Sequence, residues 1–389
     1  MRILVLAPQP FFVTRGTPIA VRALLQVLAS LGHRCDALVL AGGTDPQVEG
    51  VRLRRVPVPG RALMPPGFSP RKLAADALML PMAAQQMWRE KYDLVIAVEE
   101  AAFIAQALKP FFGVPYLCDI DSSITEQLDD KFGLPGWLRR LFSGLEARVA
   151  RGSIGAITCC RALQELVERQ APGLPVQTLE DVTLLSGDLP ETGPMDCDFA
   201  DPVVMYVGNL EGYQGVGLLI EGFALAHKAG AVARLVIIGG SPAHVEQHQE
   251  LARTLGVAQQ VSLLGPRPVE QIGDYLGQAT IVCSPRTKGR NTPMKVYSYL
   301  DSGKPLLATR LPTHTQVLSD EIAMLVTPEP EDVARGLTRL LEDPVLRAGL
   351  AARARDRVAA EFSPEAYARK LTRFLADRIE PRLALGRGS

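Results

Sequence analysis

The sequence predicts an α/β protein with two Rossmann-like domains in tandem, each built on a doubly wound parallel sheet. Three observations predict this fold. Short, uninterrupted apolar runs alternate with longer stretches of helical periodicity, as expected for strands buried on both faces and joined by helices. A polar segment rich in glycine and proline, SGDLPETGP at 186–194, interrupts the alternation near mid-chain. After that segment the alternation begins again.

The elements follow from the same pattern in chain order. Helical spacing predicts a helix over 18–31 that stops at Gly32, and another over 217–229. The tail is predicted as an amphipathic helix over 363–379, with Ser363 as its N-cap and Pro364 at its first position. Apolar runs predict strands at 2–7, 35–40, 92–98, 115–120, 155–159, 203–207, 235–238, 261–264, 280–283, 306–308 and 324–326.

Length and composition exclude several classes of protein. The 389 residues suggest two or three domains at about 150 residues each. Because 42 Lys+Arg balance 42 Asp+Glu, we expect no nucleic-acid partner. The hydrophobic content of 47% argues against a disordered chain. No apolar run reaches the roughly 18–20 residues that cross a bilayer, and the first eight residues are interpreted as a strand. We expect a cytoplasmic protein.

The six cysteines are scattered along the chain without a CxxC pair. This distribution favours buried thiols of a reducing compartment over disulfides. Neither the cysteines nor the five histidines show the spacing of metal ligands, so we expect no metal and no cofactor.

The most informative stretch is RTKGRNTP at 286–293, which carries three cations within five residues beside a glycine. It precedes a predicted helix with Thr292 as N-cap and Pro293 at the first position. Cations at a helix N-terminus form an anion site, whereas a solvated basic loop is the alternative. The candidate anion-binding residues are Arg286, Lys288, Arg290, Asn291, Thr292 and Lys295.

The order and spacing of several motifs resemble those of GT-B glycosyltransferases, most closely the retaining family GT4. The motifs are TRGTP at 14–18, a helix that ends in LGH at 31–33, MYVGNL at 205–210, LVIIGG at 235–240 and KVYSYLDSGKP at 295–305. The resemblance implies transfer of a sugar, with retention of configuration, from a nucleotide diphosphate sugar to a glycan, lipid-linked or polysaccharide acceptor. It implies an acceptor domain at 1–187, a linker at 188–200 and a donor domain at 201–371. A C-terminal helix at about 372–389 would pack back on the first domain, and the ligands would bind in a cleft between the domains.

The resemblance also assigns roles to residues at predicted strand ends. Gly16 would let backbone N–H groups approach the diphosphate, although a plain tight turn is the alternative. Asp121 would lie near the transferred sugar, or would simply cap the next helix. Apart from the resemblance, Glu99 and Glu100 end a predicted strand, and carboxylates at that position are candidates to bind the acceptor; acids at a helix start are the alternative. Gly208 and Asn209, after the strand that resembles the first of the donor domain, would help to bind the donor diphosphate.

The sequence departs from the GT4 pattern at four positions. Two glutamates of the family fall on Arg290 and Ser298, so Ser298 offers the nucleotide ribose only one hydroxyl. An Arg/Lys pair that neutralises the leaving diphosphate falls on Asn209 and Gln214, both neutral. The cations at 286–295 could replace this pair. Otherwise donor catalysis is lost and the protein is a partner or scaffold in glycan assembly; a nucleotide-sugar 2-epimerase is a third alternative.

Basic residues interleaved with bulky apolar ones suggest contact with an anionic membrane on its inner face, with a solvated surface as the alternative. One group consists of Arg52, Arg54, Arg55, Arg61, Arg71 and Lys72 with Met64, Phe68, Leu73 and Trp88. The other consists of Lys131, Trp137, Arg139, Arg140 and Phe142.

Overall fold

The computed structural model describes residues 1–13, 16–58, 70–185, 189 and 199–387. The chain separates into two compact units, Met1–Glu180 with Tyr367–Ser389, and Asp181–Ala366. The predicted boundaries at 187/188 and 371/372 remain a prediction, and most of the linker predicted at 188–200 lies outside the described residues. Arg15 of the TRGTP motif, Arg61, Met64, Phe68, Cys197 and the side chain of Lys131 also lie outside them.

The first unit contains one fully parallel sheet of seven strands. Its strands are β1 (Arg2–Pro10), β2 (Arg34–Leu40), β3 (Val51–Val56), β4 (Leu94–Val98), β5 (Tyr116–Ile120), β6 (Gly155–Thr158) and β7 (Val176–Thr178). They lie in the order β3-β2-β1-β4-β5-β6-β7. The apolar runs form the strands because a sheet covered on both faces buries nearly every side chain.

Helices cover this sheet and connect its strands. They are α1 (Gly16–Ser30), α2 (Pro70–Arg89), α3 (Ala101–Phe112), α4 (Ile124–Phe132), α5 (Gly136–Gly152) and α6 (Arg161–Gln170). The C-terminal segment of the chain also belongs to this unit. Within it, Ile379 packs so closely on Gly155 of β6 that a Cβ at Gly155 would lie 2.6 Å from the Ile379 side chain.

The second unit contains one fully parallel sheet of six strands. Its strands are β8 (Val203–Val207), β9 (Arg234–Ile238), β10 (Val261–Gly265), β11 (Ile281–Ser284), β12 (Leu306–Thr309) and β13 (Met324–Val326). They lie in the order β10-β9-β8-β11-β12-β13.

The remaining helices follow the same alternation. They are α7 (Val216–Lys228), α8 (Pro242–Thr254), α9 (Ile272–Gln278), α10 (Lys295–Asp301), α11 (Pro312–Thr315), α12 (Pro330–Glu342), α13 (Pro344–Arg357), α14 (Pro364–Phe374) and α15 (Glu380–Arg387). Short 3-10 segments occur at Gly212–Gln214 and Val269–Gln271, and π-helical turns at Val358–Phe362 and Leu375–Ile379. Ser363 accepts a hydrogen bond from the Ala366 N–H at 3.1 Å, which confirms the predicted N-cap.

Each sheet reverses its strand order once. In the first unit the chain moves outward from β1 to β3 and returns to place β4 beside β1; in the second, β11 returns to lie beside β8. At such a switch point the loops leave two neighbouring strands in opposite directions, and a crevice opens at the carboxyl edge. The fold therefore sets one candidate ligand site in each unit, at β1/β4 and at β8/β11.

The predicted fold class is confirmed, with differences in detail. The sequence pattern missed β3, whose VRLRRV sequence is too basic to look apolar, and the three-residue β7. The helix predicted to start at Pro293 instead begins at Lys295, so Thr292 is not its N-cap. Five of the cysteines are free thiols. Within the described ranges, no helix is both long and apolar enough to cross a membrane.

Candidate functional site

A cluster of cationic, aromatic and amide side chains lies at the carboxyl edge of the second sheet, where β8 and β11 are neighbours. We name it the β8/β11 cluster. It comprises Tyr206, Tyr213, Gln214, Arg286 and Lys295. The sequence singled out the two cations and Gln214, and missed the two tyrosines, although an aromatic residue at a predicted strand end was a usable signal.

Lys295 is the centre of the β8/β11 cluster. Its ammonium donates to the Gln214 amide oxygen at 3.2 Å and lies 3.8 Å from the centre of the Tyr206 ring. It also lies against the backbone of Gly208, where a Cβ would be only 2.9 Å from Nζ. Burial lowers the pKa of Lys295 well below its ordinary value, and the nearby Arg286 charge lowers it further. No carboxylate among the described residues stabilises the ammonium form of Lys295, so an anionic ligand would favour its protonation.

Arg286 is held by the loop that follows β11. Its guanidinium donates to the Asn291 carbonyl at 2.7 Å and to the Thr313 hydroxyl at 3.0 Å, and lies 5.2 Å from the centre of the Tyr213 ring. Burial lowers the pKa of Arg286 as well. Among the described residues neither Arg286 nor Lys295 has a carboxylate ion-pair partner.

Two further polar atoms of this region are buried without a hydrogen-bond partner among the described residues. They are the Nε of Arg286 and the hydroxyl oxygen of Thr292, whose side chain is almost fully buried. An unpaired buried polar group costs about 1–3 kcal/mol. A ligand with several acceptor oxygens and negative charge is the chemical complement of cations and unpaired donors of this kind.

Close contact between two loops shapes the β8/β11 cluster. Gly215 has φ +71°, and a Cβ on it would lie 1.9 Å from the Pro285 carbonyl oxygen, so only glycine fits. The Thr287 N–H donates to the Tyr213 carbonyl at 2.9 Å. The loop after β8 and the loop after β11 are thereby joined, which brings Gln214 and Tyr213 to the cations.

The buried side chain of His314 supports the loop that carries Arg286. The His314 Nε2 lies 2.9 Å from the Ser284 hydroxyl at the end of β11, and its Nδ1 lies 2.8 Å from the Thr309 carbonyl of β12. Thr309 in turn donates to the Arg286 carbonyl at 2.5 Å. Burial lowers the pKa of His314 to about 4, so the ring is neutral at physiological pH. His314 is a positioning residue for the loop that carries Arg286.

The other predicted donor-side residues are not all drawn together. Lys288 and Arg290 are exposed on the loop, and Asn209 is exposed after β8. Asn291 contributes its backbone carbonyl to Arg286. Ser298 is buried in α10 and accepts a hydrogen bond from the Leu184 N–H at 3.0 Å, an interaction that the sequence did not reveal.

A second cluster, which we name the β1/β4 cluster, lies at the carboxyl edge of the first sheet. It comprises Gln9, Lys72, Asp76, Glu99, Glu100, Asp121 and Ser122. Glu99 accepts from the Ser122 hydroxyl at 2.7 Å and from the Gln9 amide at 3.1 Å. Glu99 also has φ +50°, a left-handed backbone that is unusual for any residue except glycine. Such strain is found where the surroundings fix a side chain for function.

Carboxylates outnumber cations in the β1/β4 cluster. Lys72 pairs with Glu100. Burial, together with repulsion from Glu100 and Asp121, raises the pKa of Glu99 to about 8. Burial also raises the pKa of Asp121, opposed by a hydrogen bond from the Thr17 side chain, and raises that of Asp76 to about 7. At neutral pH the Glu99 carboxyl is therefore mostly protonated and can donate as well as accept hydrogen bonds.

The structure shows where these acids lie relative to the neighbouring helix starts. The N-cap of α4 is Ser123, which accepts from the Glu126 N–H, so Asp121 does not cap that helix. Glu100 stands at the start of α3 but makes no side-chain cap. Gly16 is the first residue of α1. A Cβ at this position would have no atom within 4 Å, so packing does not require a glycine there. Across the described residues, no group of three or more potential metal ligands is found.

Comparison with known families assigns both halves of the chain to the same kind of protein. Residues 15–178 match the family described as glycosyl transferase 4-like domain, and residues 201–343 match glycosyl transferases group 1. The chain is 23% identical over 284 residues to the alpha-D-kanosaminyltransferase of Streptomyces kanamyceticus, an alignment that spans 68% of this chain and 70% of that protein.

Solved structures show the same fold. The sucrose-phosphate synthase of Thermosynechococcus elongatus superposes with a TM-score of 0.76 at 18% identity, covering 96% of this chain and 98% of that one. HepE of Anabaena, solved in complex with UDP and glucose, superposes with a TM-score of 0.72 at 16% identity, covering 97% of this chain and 99% of that one.

Proposed function

We propose that this chain, which belongs to the glycosyltransferases with a glycosyl transferase 4-like domain followed by a group 1 domain, transfers a sugar from a nucleotide diphosphate sugar to a glycan, lipid-linked or polysaccharide acceptor with retention of configuration. The donor binds to unit Asp181–Ala366 and the acceptor to the first unit. The finding that HepE was solved with UDP and glucose supports a nucleotide-sugar donor.

One observation carries this proposal: the β8/β11 cluster holds two cations without an acidic partner among the described residues, beside two unsatisfied buried polar atoms. A diphosphate supplies two negative charges and several acceptor oxygens within a few ångströms, which is the complement of this cluster. Charge-assisted hydrogen bonds of this kind contribute about 1.5–3 kcal/mol each. Lys295 and Arg286 grip the diphosphate, and Thr292 donates to one of its oxygens.

The remaining candidate residues take secondary roles in the proposal. On the donor side, Ser298 lies near the ribose, and the exposed cations Lys288 and Arg290 attract the anion as it approaches. The backbones of Gly16, Gly208 and Asn209 come close to the phosphates. On the acceptor side, Glu99 and Glu100 of the β1/β4 cluster bind the acceptor.

Asp121 is the proposed catalytic carboxylate. In the transfer, the acceptor oxygen forms a bond to the anomeric carbon while the bond from that carbon to the diphosphate oxygen breaks, and its electron pair stays on the phosphate. The acceptor proton passes to the released diphosphate. Positive charge develops on the sugar ring in the transition state, and a carboxylate stabilises it. Cations at the leaving diphosphate stabilise the opposite charge, for which one contact is worth about 3–4 kcal/mol.

Calorimetric titration with UDP, GDP and their sugars tests the donor site directly. We expect at least one diphosphate to bind the wild-type protein and to bind at least tenfold more weakly to Lys295→Gln and Arg286→Gln. The matched control is Lys228→Gln, an exposed cation on α7. If no nucleotide binds, the transferase proposal fails.

A donor screen by mass spectrometry, with co-purified ligand identified first, then tests transfer. Two further outcomes favour the alternatives. Binding without transfer to any acceptor would favour a partner or scaffold in glycan assembly, which the neutral Asn209 and Gln214 suggest. Conversion of the donor into its 2-epimer, detected by NMR, would favour an epimerase.

A further inference from the structure

The side chain of Tyr213 lies outside the hydrophobic core of the second unit. It is 41% exposed, whereas Tyr206, Tyr297 and Tyr299 of the same unit are fully buried. The Tyr213 ring faces a cation instead, since the guanidinium carbon of Arg286 lies 5.2 Å from the ring centre. Burial lowers the pKa of Arg286, and a hydrogen bond with the Tyr213 side chain opposes that shift. The position of Tyr213 is therefore explained by its contact with Arg286 and not by burial of its ring.

Backbone hydrogen bonds fix Tyr213 in this position. It lies in the 3-10 segment Gly212–Gln214, which is closed by a hydrogen bond from the Gly215 N–H to the Gly212 carbonyl at 3.2 Å. The Tyr213 carbonyl accepts from the Thr287 N–H at 2.9 Å. Because Thr287 follows Arg286 directly in the chain, the backbone bond and the side-chain contact join the same two loops. The ring and the guanidinium are thereby kept opposite each other.

The protein holds the Arg286 guanidinium at one nitrogen and against the Tyr213 ring. Its Nη1 donates to both the Asn291 carbonyl and the Thr313 hydroxyl, at 2.7 and 3.0 Å. Its Nε is buried and has no hydrogen-bond partner among the described residues. A guanidinium held at one nitrogen can still rotate about that nitrogen, and an aromatic ring packed against the group restricts this rotation. The unpaired Nε–H is therefore kept in one direction.

We propose that Tyr213 is a positioning residue for the donor diphosphate: its ring holds Arg286 so that the unpaired Nε–H and the guanidinium charge meet the phosphate oxygens. The role rests on the proposed function, in which Arg286 binds the diphosphate. Such pre-organisation raises affinity because the ligand does not have to order the side chain on binding. The loop between β8 and α7 carries no cation, since residues 208–215 read GNLEGYQG. Through Tyr213 this loop contributes to anion binding by way of an arginine on another loop.

Calorimetric titration with UDP and GDP measures the contribution of the ring. Tyr213→Leu removes the ring and is expected to weaken nucleotide binding about tenfold, the effect of one partly desolvated cation–π contact. Tyr213→Phe keeps the ring, so a loss of about threefold or less is expected. Equal losses in the two variants would overturn the role of the ring. The matched control is Phe199→Leu, which removes a ring 5.3 Å from the Arg234 guanidinium at the amino end of β9 and is expected to bind like the wild type.

A double-mutant cycle with Arg286→Gln distinguishes positioning from direct contact with the ligand. If Tyr213 acts through Arg286, Tyr213→Leu should weaken binding less than about twofold once the guanidinium is absent. A tenfold loss that persists in the Arg286→Gln protein would overturn the proposal, because Tyr213 would then contact the ligand itself or support the whole loop.

Inorganic pyrophosphate as a third ligand tests which part of the nucleotide is involved. The loss caused by Tyr213→Leu should be the same for pyrophosphate as for the nucleotide, since the proposed contact concerns the diphosphate. A loss seen with UDP or GDP but not with pyrophosphate would assign Tyr213 to the nucleoside and overturn the proposal. A wild-type protein that binds neither nucleotide would overturn the donor site and the role of Tyr213 together. Equal affinity of the wild type and Tyr213→Leu would overturn only the role of Tyr213.

Discussion

The ammonium of Lys295 lies 3.2 Å from the amide oxygen of Gln214, so a side chain of α10 supplies the positive charge at the end of β8. Tyr299 explains why α10 points that way. It lies one turn after Lys295 on the same helix face, accepts from the Val207 N–H at 2.7 Å and donates to the Val207 carbonyl at 3.1 Å. The contact fixes α10 on β8 and directs Lys295 to the position next to Gly208.

The contact between Lys295 and Gln214 predicts that an ammonium placed at position 214 can replace the one at position 295. Lys295→Gln is expected to weaken binding of a nucleoside diphosphate about 10–100-fold, because one charge-assisted hydrogen bond of about 1.5–3 kcal/mol is lost. Adding Gln214→Lys to that variant returns an ammonium to the same place and is expected to recover at least tenfold of the loss. Titration calorimetry measures both effects.

The control for the exchange is Gln214→Lys alone, which places two ammonium groups together and is expected to destabilise the unliganded protein. If the double variant binds no better than Lys295→Gln, the position of the charge is not what determines affinity.

The lowered pKa of Lys295 predicts proton uptake on donor binding. Burial and the Arg286 charge lower the pKa of Lys295 in the free protein, where its close partners among the described residues are the Gln214 amide and the Tyr206 ring. A diphosphate favours the ammonium form. Above about pH 7, where the phosphate charge no longer changes, affinity should fall as pH rises.

Calorimetry in two buffers with different ionisation enthalpies measures the number of protons taken up. Lys295→Gln is the control and should show less uptake and a flatter pH profile. Equal uptake by both proteins would mean that another group titrates.

Glu99→Gln is expected to stabilise the protein at pH 8. Because its folded pKa of about 8 lies above the ordinary 4.5, the folded state binds more protons, and stability falls as pH rises between these values. The amide removes that loss, so the midpoint of thermal unfolding should rise by roughly a few degrees at pH 8 and change little at pH 5.

The neighbouring Glu100→Gln provides the contrast to this prediction. This substitution leaves the half-buried Lys72 without its carboxylate partner. It is therefore expected to destabilise the protein at both pH values. Equal effects of the two substitutions would show that the two glutamates do not differ in protonation.

His314→Ala is expected to destabilise the second unit by about 2–4 kcal/mol, because it opens a cavity and leaves the Ser284 hydroxyl without its partner. The folded pKa of about 4 lies below the ordinary 6.5, so the wild type loses stability as pH falls from 6.5 to 4. The variant should lack that part of the acid sensitivity in denaturant unfolding at pH 7 and pH 5. His244→Ala, a partly exposed histidine on α8, is the control and should show neither effect.

Much of the fold could be predicted because buried parallel strands have a distinctive local pattern. Runs such as 203–207 are apolar at every position, and their boundaries agree with β8. The pattern did not predict β3, whose arginines interrupt the apolar run. This strand is stable because Arg52 pairs with Asp36 of the neighbouring strand β2, a partner 16 residues away in sequence.

The sequence by itself determined the fold class, the two α/β repeats, and the residue types that can bind an anion. It could not determine which of the cations near 286–295 act together. Only the tertiary structure separated Lys295 and Arg286, directed to the end of β8, from the exposed Lys288 and Arg290. It also placed Glu99, Ser122 and Gln9 in one hydrogen-bonded group. The physical reason is that periodicity reports how each residue meets its own helix or strand, whereas a site is made by side chains far apart in sequence that meet at the carboxyl edge of a sheet.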